Sequence, residues 1–146
     1  THPDQLDQLR HHPDQLPNAI EELLRFDTPL MTGELNYARV PYSVEDVTIP
    51  TGSMIFTAIL SANHDESVFS HPEQLDLTRQ PNKHLAFGKG IHYCLGAPLA
   101  RMEAKVAFAT LLERAPKLRL AVPSASLRYA KLPIVNRLTR LPVSVS

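Results

Sequence analysis

The single cysteine of the chain, Cys94, lies in the run Phe87-Gly88-Lys89-Gly90-Ile91-His92-Tyr93-Cys94-Leu95-Gly96. Two glycines ahead of the sulfur allow backbone turns that other residues resist, so the loop can fold tightly before it. A cysteine at the mouth of a helix meets free N–H groups and the positive end of the helix dipole, and both stabilise a thiolate. Gly96 leaves space beside the sulfur for a flat ligand, and a thiolate is a good soft donor to iron. Taken alone, a free cysteine is more often a small buried hydrophobe.

Glu22 and Arg25 stand at i and i+3, on one face of a predicted helix. At a surface such a pair contributes only about 0.3–0.5 kcal/mol. His84, His92 and Cys94 could supply three zinc ligands. Their spacing fits no standard zinc pattern, and no fourth ligand is evident.

The elements that must hold these residues are short and much interrupted. Thirteen prolines stand against five glycines, which means many rigid breaks. Pro3–His11 reads as a short helix. Pro17 starts a second one, which ends near Phe26 because Pro29 disfavours helix in the residue before it. Val40, Tyr42, Val44, Val47 and Ile49 alternate with polar or turn residues, as strands do. Pro50-Thr51-Gly52 reads as a turn, Met54–Leu60 as a further strand and Asn63–Phe69 as a short helix. Ser70–His84 is expected to be an irregular, packed loop. Leu99, Met102, Val106, Ala109 and Leu112 recur at helical spacing and predict a long helix from Leu95 to Ala115. Leu118–Ser146 reads as short β-like pieces broken at Pro123, Pro133 and Pro142.

The composition is that of a globular protein, with 43% hydrophobic and 21% charged residues over 146 positions. Lys and Arg total 15, as do Asp and Glu. A neutral balance argues against a nucleic-acid binder working through bulk positive charge. One cysteine excludes an intrachain disulfide and suits a reducing, cytoplasmic setting. No apolar run approaches a membrane span. The opening THPDQLDQLRHHPDQLP reads as the continuation of something upstream.

The ten residues Phe87–Gly96 resemble the haem-binding signature of the cytochromes P-450 at every defined position. AIEELLRFDTP resembles the Glu-x-x-Arg helix of that family, and ANHDESVFSHPEQLDLTR the segment leading to its irregular meander. The likeness runs down to Leu141-Pro142-Val143. It implies a mainly α fold with small β-sheets (α+β), residues 1–146 being the C-terminal, haem-binding part of a single domain. It implies haem b as cofactor, with Cys94 as the catalytic proximal thiolate and iron ligand. Phe87 would pack against the ligand loop, Gly88, Gly90 and Gly96 would shape it, and His92 would bond a haem propionate. Taken alone, His92 is a solvent-exposed loop histidine.

By the same resemblance Arg79 joins Glu22 and Arg25 in a structural triad, and Arg39 reaches the other propionate. The stretch RVPYSVEDVTIPTG after it is shorter than the usual bacterial pattern, and Arg39 by itself reads equally as an exposed strand arginine. Leu30, Met31, Ile134 and Val135 fall where the family lines its substrate pocket, or are ordinary core. The implied activity is hydroxylation or epoxidation of a small apolar substrate by O2, with electrons from a ferredoxin or flavoprotein. Lys89, Arg101 and Lys105 would either meet that acidic donor or form a solvated face. The resemblance places the distal oxygen-activating helix before residue 1, so no regulated turnover is expected from these residues alone. A noncatalytic haem-binding or interaction module derived from the family is the alternative.

Overall fold

The computed structural model describes residues 2–132 and 134–145. Among the described residues, four α-helices carry the fold: α1 (Pro3–His11), α2 (Leu16–Phe26), α3 (Ile59–Ala62) and α4 (Ala97–Arg114). Three small antiparallel pairs flank them. β1 (Asn36–Tyr37) pairs with β4 (Met54–Ile55), β2 (Tyr42–Val44) with β3 (Val47–Ile49), and β5 (Arg119–Leu120) with β6 (Val143–Ser144). Helices dominate and the sheets are small, as expected from the sequence.

Proline punctuates the helices as its chemistry dictates. Its missing N–H is harmless in a first turn, and α1, α2 and α4 each carry a proline at one of their first two positions. The core lies where α1 and α2 meet the irregular segment after Ser70. Leu9, Leu16, Ala19, Ile20 and Leu77 are buried there, with Leu24, Leu75, Ala104 and Leu112 packed around them. Ala104 and Leu112 bring α4 against α2. The long stretch from Ser70 to His84 is held by side-chain-to-backbone bonds instead of a ladder. Asn18, on α2, donates to the Leu77 carbonyl at 2.6 Å.

Two expected elements are corrected. The short helix lies at Ile59–Ala62, and residues 63–69 are turns. Asp65 is the cause: its Oδ1 accepts from both the Ser67 N–H (2.8 Å) and the Ser67 hydroxyl (2.6 Å), a local turn that competes with helix. The strand expected over Met54–Leu60 shrinks to Met54–Ile55, since Ile59 and Leu60 open α3. Val40 lies outside β2, in a bend, and α4 begins at Ala97, two residues after the expected start.

The apolar alternation of β2 and β3 does not build core. The hairpin turns through Glu45 and Asp46, with Glu45 at φ 48°, and Tyr42, Val44 and Val47 all face outward. α4 likewise leaves Leu99, Met102 and Val106 exposed. Among the described residues, no helix is long and apolar enough to cross a membrane.

Candidate functional site

The cysteine loop is closed by its own backbone. Gly88 and Gly90 take φ of 70° and 72°, a conformation that costs a side-chain-bearing residue strain. Gly88 N–H bonds the Leu85 carbonyl at 2.8 Å, and a single 3-10 turn over Gly90–His92 follows. The Cys94 N–H then donates back to the Phe87 carbonyl at 2.8 Å, and the Cys94 carbonyl accepts from Ala97 N–H, the first residue of α4, at 3.2 Å. The loop is thus tied at both ends of the cysteine.

Cys94 is exposed. Its apolar neighbours Ile91 and Leu95 stand almost fully in the open, at 97% and 98% of their possible exposure. A Cβ on Gly96 would find only the Cys94 Sγ within 4 Å, at 3.8 Å. An uncovered sulfur ringed by uncovered apolar side chains, with no bulk beside it, fits a flat apolar macrocycle.

A buried charge cluster is centred on Glu22 of α2. Arg25 grips it with a two-pronged pair of hydrogen bonds, Nε to Oε2 and Nη2 to Oε1, each 2.8 Å. Arg79 Nε donates to both carboxylate oxygens at 3.1 Å. The Asp76 N–H (3.0 Å) and the Asn82 amide (2.9 Å) complete the shell. Both guanidinium groups also reach backbone carbonyls: Arg25 those of Asn63, Pro72 and Gln74, Arg79 those of Ser70, His71 and Gln74. Arg25 also lies over the Phe69 ring, 5.4 Å from its centre. Glu22 and Arg25 are fully buried and Arg79 nearly so. Charges so deep are tolerable only when well bonded, and every guanidinium nitrogen of Arg25 and Arg79 has a hydrogen-bond acceptor.

Sequence reasoning missed a second hub, on the neighbouring residue. Glu21 accepts from Arg101 twice, Nε to Oε1 at 2.6 Å and Nη2 to Oε2 at 2.7 Å, and from His84 Nε2 at 3.0 Å. The Ala86 N–H donates to His84 Nδ1 at 3.1 Å, so that nitrogen carries no proton and Nε2–H is the donor to Glu21. Arg101 Nη1 donates to the Tyr93 hydroxyl at 2.8 Å, and its guanidinium lies 4.6 Å from the centre of the Phe87 ring. Glu21, His84, Tyr93 and Arg101 therefore join α2, the approach to the loop, the loop itself and α4. The sole sequence hint was the paired acid Glu21-Glu22, whose side chains sit about 100° apart on a helix.

The zinc set is ruled out. His84 is committed to Glu21, and among the described residues no three His, Cys, Asp or Glu side chains converge on a point. Arg101 is not part of a free basic face, since Glu21, Tyr93 and Phe87 occupy it, whereas Lys89 and Lys105 are exposed.

His92 and Arg39 are exposed, with no side-chain partner among the described residues, Arg39 in the bend that follows β1. Leu30, Met31, Ile134 and Val135 do come together. Leu30 bridges Val135, and the Met31 N–H bonds the Ile134 carbonyl at 2.9 Å. An open hollow of about 600 Å³ takes in Met31 with Phe26, Leu60 and His64, but also Asp27 and Glu73; Leu30, Ile134 and Val135 do not line it.

Both hub carboxylates titrate low. Burial by itself would push Glu22 up, but bonds from Arg25, the Asp76 N–H and Arg79 outweigh it and hold the carboxyl below its ordinary value of 4.5. Glu21 is pulled below the same value mainly by Arg101, against its partial burial and with help from His84. A carboxylate depressed in the folded state contributes stability that is fully present above its unfolded pKa. That stability is lost as pH falls through the folded pKa. Melting temperature of the intact protein is therefore expected to drop as pH goes below about 4.5, and less steeply in Glu21→Gln. Melts recorded from neutral pH downward check this; parallel curves for the two proteins would contradict it.

The cytochrome P450 family model matches residues 6–115, a span that contains the cysteine loop and both hubs. Cytochrome P450 CYP107DY1 of Priestia megaterium is 52% identical over 128 residues, covering 88% of this chain and 31% of that protein. Cytochrome P450 107B1 of Saccharopolyspora erythraea is 43% identical, covering 97% of this chain and 35% of the relative. The solved structure of the tirandamycin C-bound P450 monooxygenase TamI superposes with a TM-score of 0.95 at 43% identity, over 98% of this chain and 36% of that one. The chain thus spans about a third of the length of the curated relatives it matches. A match of this extent, with the loop and the buried triad inside it, places the chain in the cytochrome P450 family.

Proposed function

We propose that Cys94 is the proximal thiolate ligand of a haem b, in a monooxygenase that inserts one oxygen atom of O2 into a small apolar organic substrate. The observation that carries this reading is the exposed Cys94 sulfur, held at the open face of a loop closed by the Phe87 carbonyl and Gly88 and Gly90. When bound, the haem supplies the oxygen-activating chemistry, favoured by electron density pushed from a thiolate ligand.

The chain's own residues prepare that ligand. Gly88 and Gly90 set the turn, and the Cys94 N–H bonded to Phe87 O fixes the backbone that carries the sulfur. Ile91 and Leu95, both exposed, offer the macrocycle an apolar seat beside the sulfur. His92 and Arg39, exposed cationic or hydrogen-bonding side chains, are the residues assigned to the two propionates. Glu22, Arg25 and Arg79 hold the meander beneath. Leu30, Met31, Ile134 and Val135 form the edge on which substrate rests.

An apolar substrate is in keeping with that edge and with relatives named as vitamin D(3) 25-hydroxylase and mycinamicin IV hydroxylase/epoxidase. A ferredoxin or flavoprotein would deliver the electrons, approaching the side where Lys89 and Lys105 are exposed.

The test is the absorption spectrum of the intact protein that carries this chain, loaded with haem, reduced and exposed to carbon monoxide. A Soret band red-shifted as for thiolate-bound ferrous haem is expected. The unshifted band of nitrogen-ligated haem, or no porphyrin uptake, would overturn the reading.

A further inference from the structure

We infer that Arg101, fixed by Glu21, is a positioning residue that holds the Cys94 loop in its ligating shape. The inference rests on the assignment of Cys94 as iron ligand and goes beyond it. Arg101 touches the loop twice and belongs to neither the loop nor the Glu22 cluster. Its Nη1 donates to the Tyr93 hydroxyl at 2.8 Å, one residue before the cysteine, and its guanidinium carbon sits over the Phe87 ring, 4.6 Å from the ring centre. Phe87 is in turn the residue whose carbonyl receives the Cys94 N–H. A shift of Phe87 or Tyr93 is therefore a shift of Cys94.

What stops Arg101 from moving is Glu21. The two bonds at 2.6 and 2.7 Å form the two-pronged geometry in which both orientation and distance are set. Glu21 is itself steadied by the Nε2–H of His84, a side chain only 3% exposed. The His84 ring lies 6.3 Å from that of Phe87. The chain of contacts runs from α2 through Glu21 and Arg101 to Phe87 and Tyr93, and so to the sulfur. The Glu22 cluster serves the segment from Asn63 to Asn82, and this one serves the loop.

Arg101→Lys keeps the charge but loses the fork and the flat stacking face. Glu21→Gln keeps the shape and loses the charge. Both are compared with wild type in the intact haem-loaded protein, well below the melting midpoint of each. The quantity followed is the decay of the red-shifted ferrous–carbon monoxide band into the unshifted one. At least about tenfold faster decay is expected in both variants, the scale of one charge-assisted hydrogen bond.

Leu9→Ala is the control. It removes a buried core side chain on α1 and lowers the melting temperature without touching the loop. Its decay is expected to match wild type. Should Arg101→Lys or Glu21→Gln not fold, Tyr93→Phe carries the test, with about tenfold faster decay expected from its one lost charge-assisted hydrogen bond. Wild-type decay in the variants, or equal acceleration by Leu9→Ala, overturns the inference. A wild-type protein without the red-shifted band would instead overturn the ligand assignment, and this inference with it.

Discussion

With Cys94 replaced by alanine, the intact haem protein is expected to keep its fold and lose its red-shifted ferrous–carbon monoxide band entirely. The sulfur is exposed on this chain, so its removal opens no cavity among the chain's own side chains. The two hydrogen bonds at this position, to Phe87 and from Ala97, are made by the backbone, which alanine keeps. Oxygen insertion should fall by more than about 100-fold, since even an outer-shell partner of a metal ligand can be worth 10–100-fold. Far-ultraviolet circular dichroism, melting temperature and the carbon monoxide spectrum together check the prediction. A retained band would mean that the ligand lies elsewhere, and a collapsed fold would mean that the loop is structural.

Glu22→Ala is expected to do the opposite: destroy stability without touching the loop. The carboxylate accepts from Arg25, Arg79, the Asp76 N–H and Asn82, all close at hand. Its loss strands two guanidinium ions in the interior. Breaking a buried pair by removing one partner typically costs about 3–5 kcal/mol, a large part of the 5–15 kcal/mol that holds an ordinary domain together.

The pair Asp7–Arg10 makes the comparison direct. It has the same i, i+3 spacing and a similar 2.8 Å contact, yet its side chains are 62% and 24% exposed. Asp7→Ala should cost no more than about 1 kcal/mol. Denaturant midpoints for the two variants check both figures. Equal losses would mean that burial does not govern the energetics of these pairs.

That contrast also shows what could be read from residues alone. Spacing tells that Glu22 and Arg25 meet, and tells the same of Asp7 and Arg10. It cannot tell which pair is buried, because the covering carbonyls come from residues 63 to 74, a stretch without periodicity. The cysteine loop was legible because its geometry is local: glycines at two positive φ angles and a backbone bond between residues seven apart. The Glu21–Arg101 pair was not, since its partners stand 80 positions apart with nothing but charge to link them. The helix placed over Asn63–Phe69 failed for a local reason, the Asp65–Ser67 turn, which propensity averaged over a window does not see. α4 was found from its pattern, but Leu99, Met102 and Val106 of that pattern face outward. An apolar stripe names a face to be covered without naming what covers it.

Glu21 and Glu22 are consecutive, and each serves a different assembly. Along a helix every added residue turns the next by about 100°, so the angular offset between the two assemblies is set by a single peptide unit. Insertion of one residue between them would leave either carboxylate able to find its guanidinium but never both at once. Substitutions around this dipeptide can be absorbed by repacking. A change in its length cannot, which closes this part of α2 to gaps.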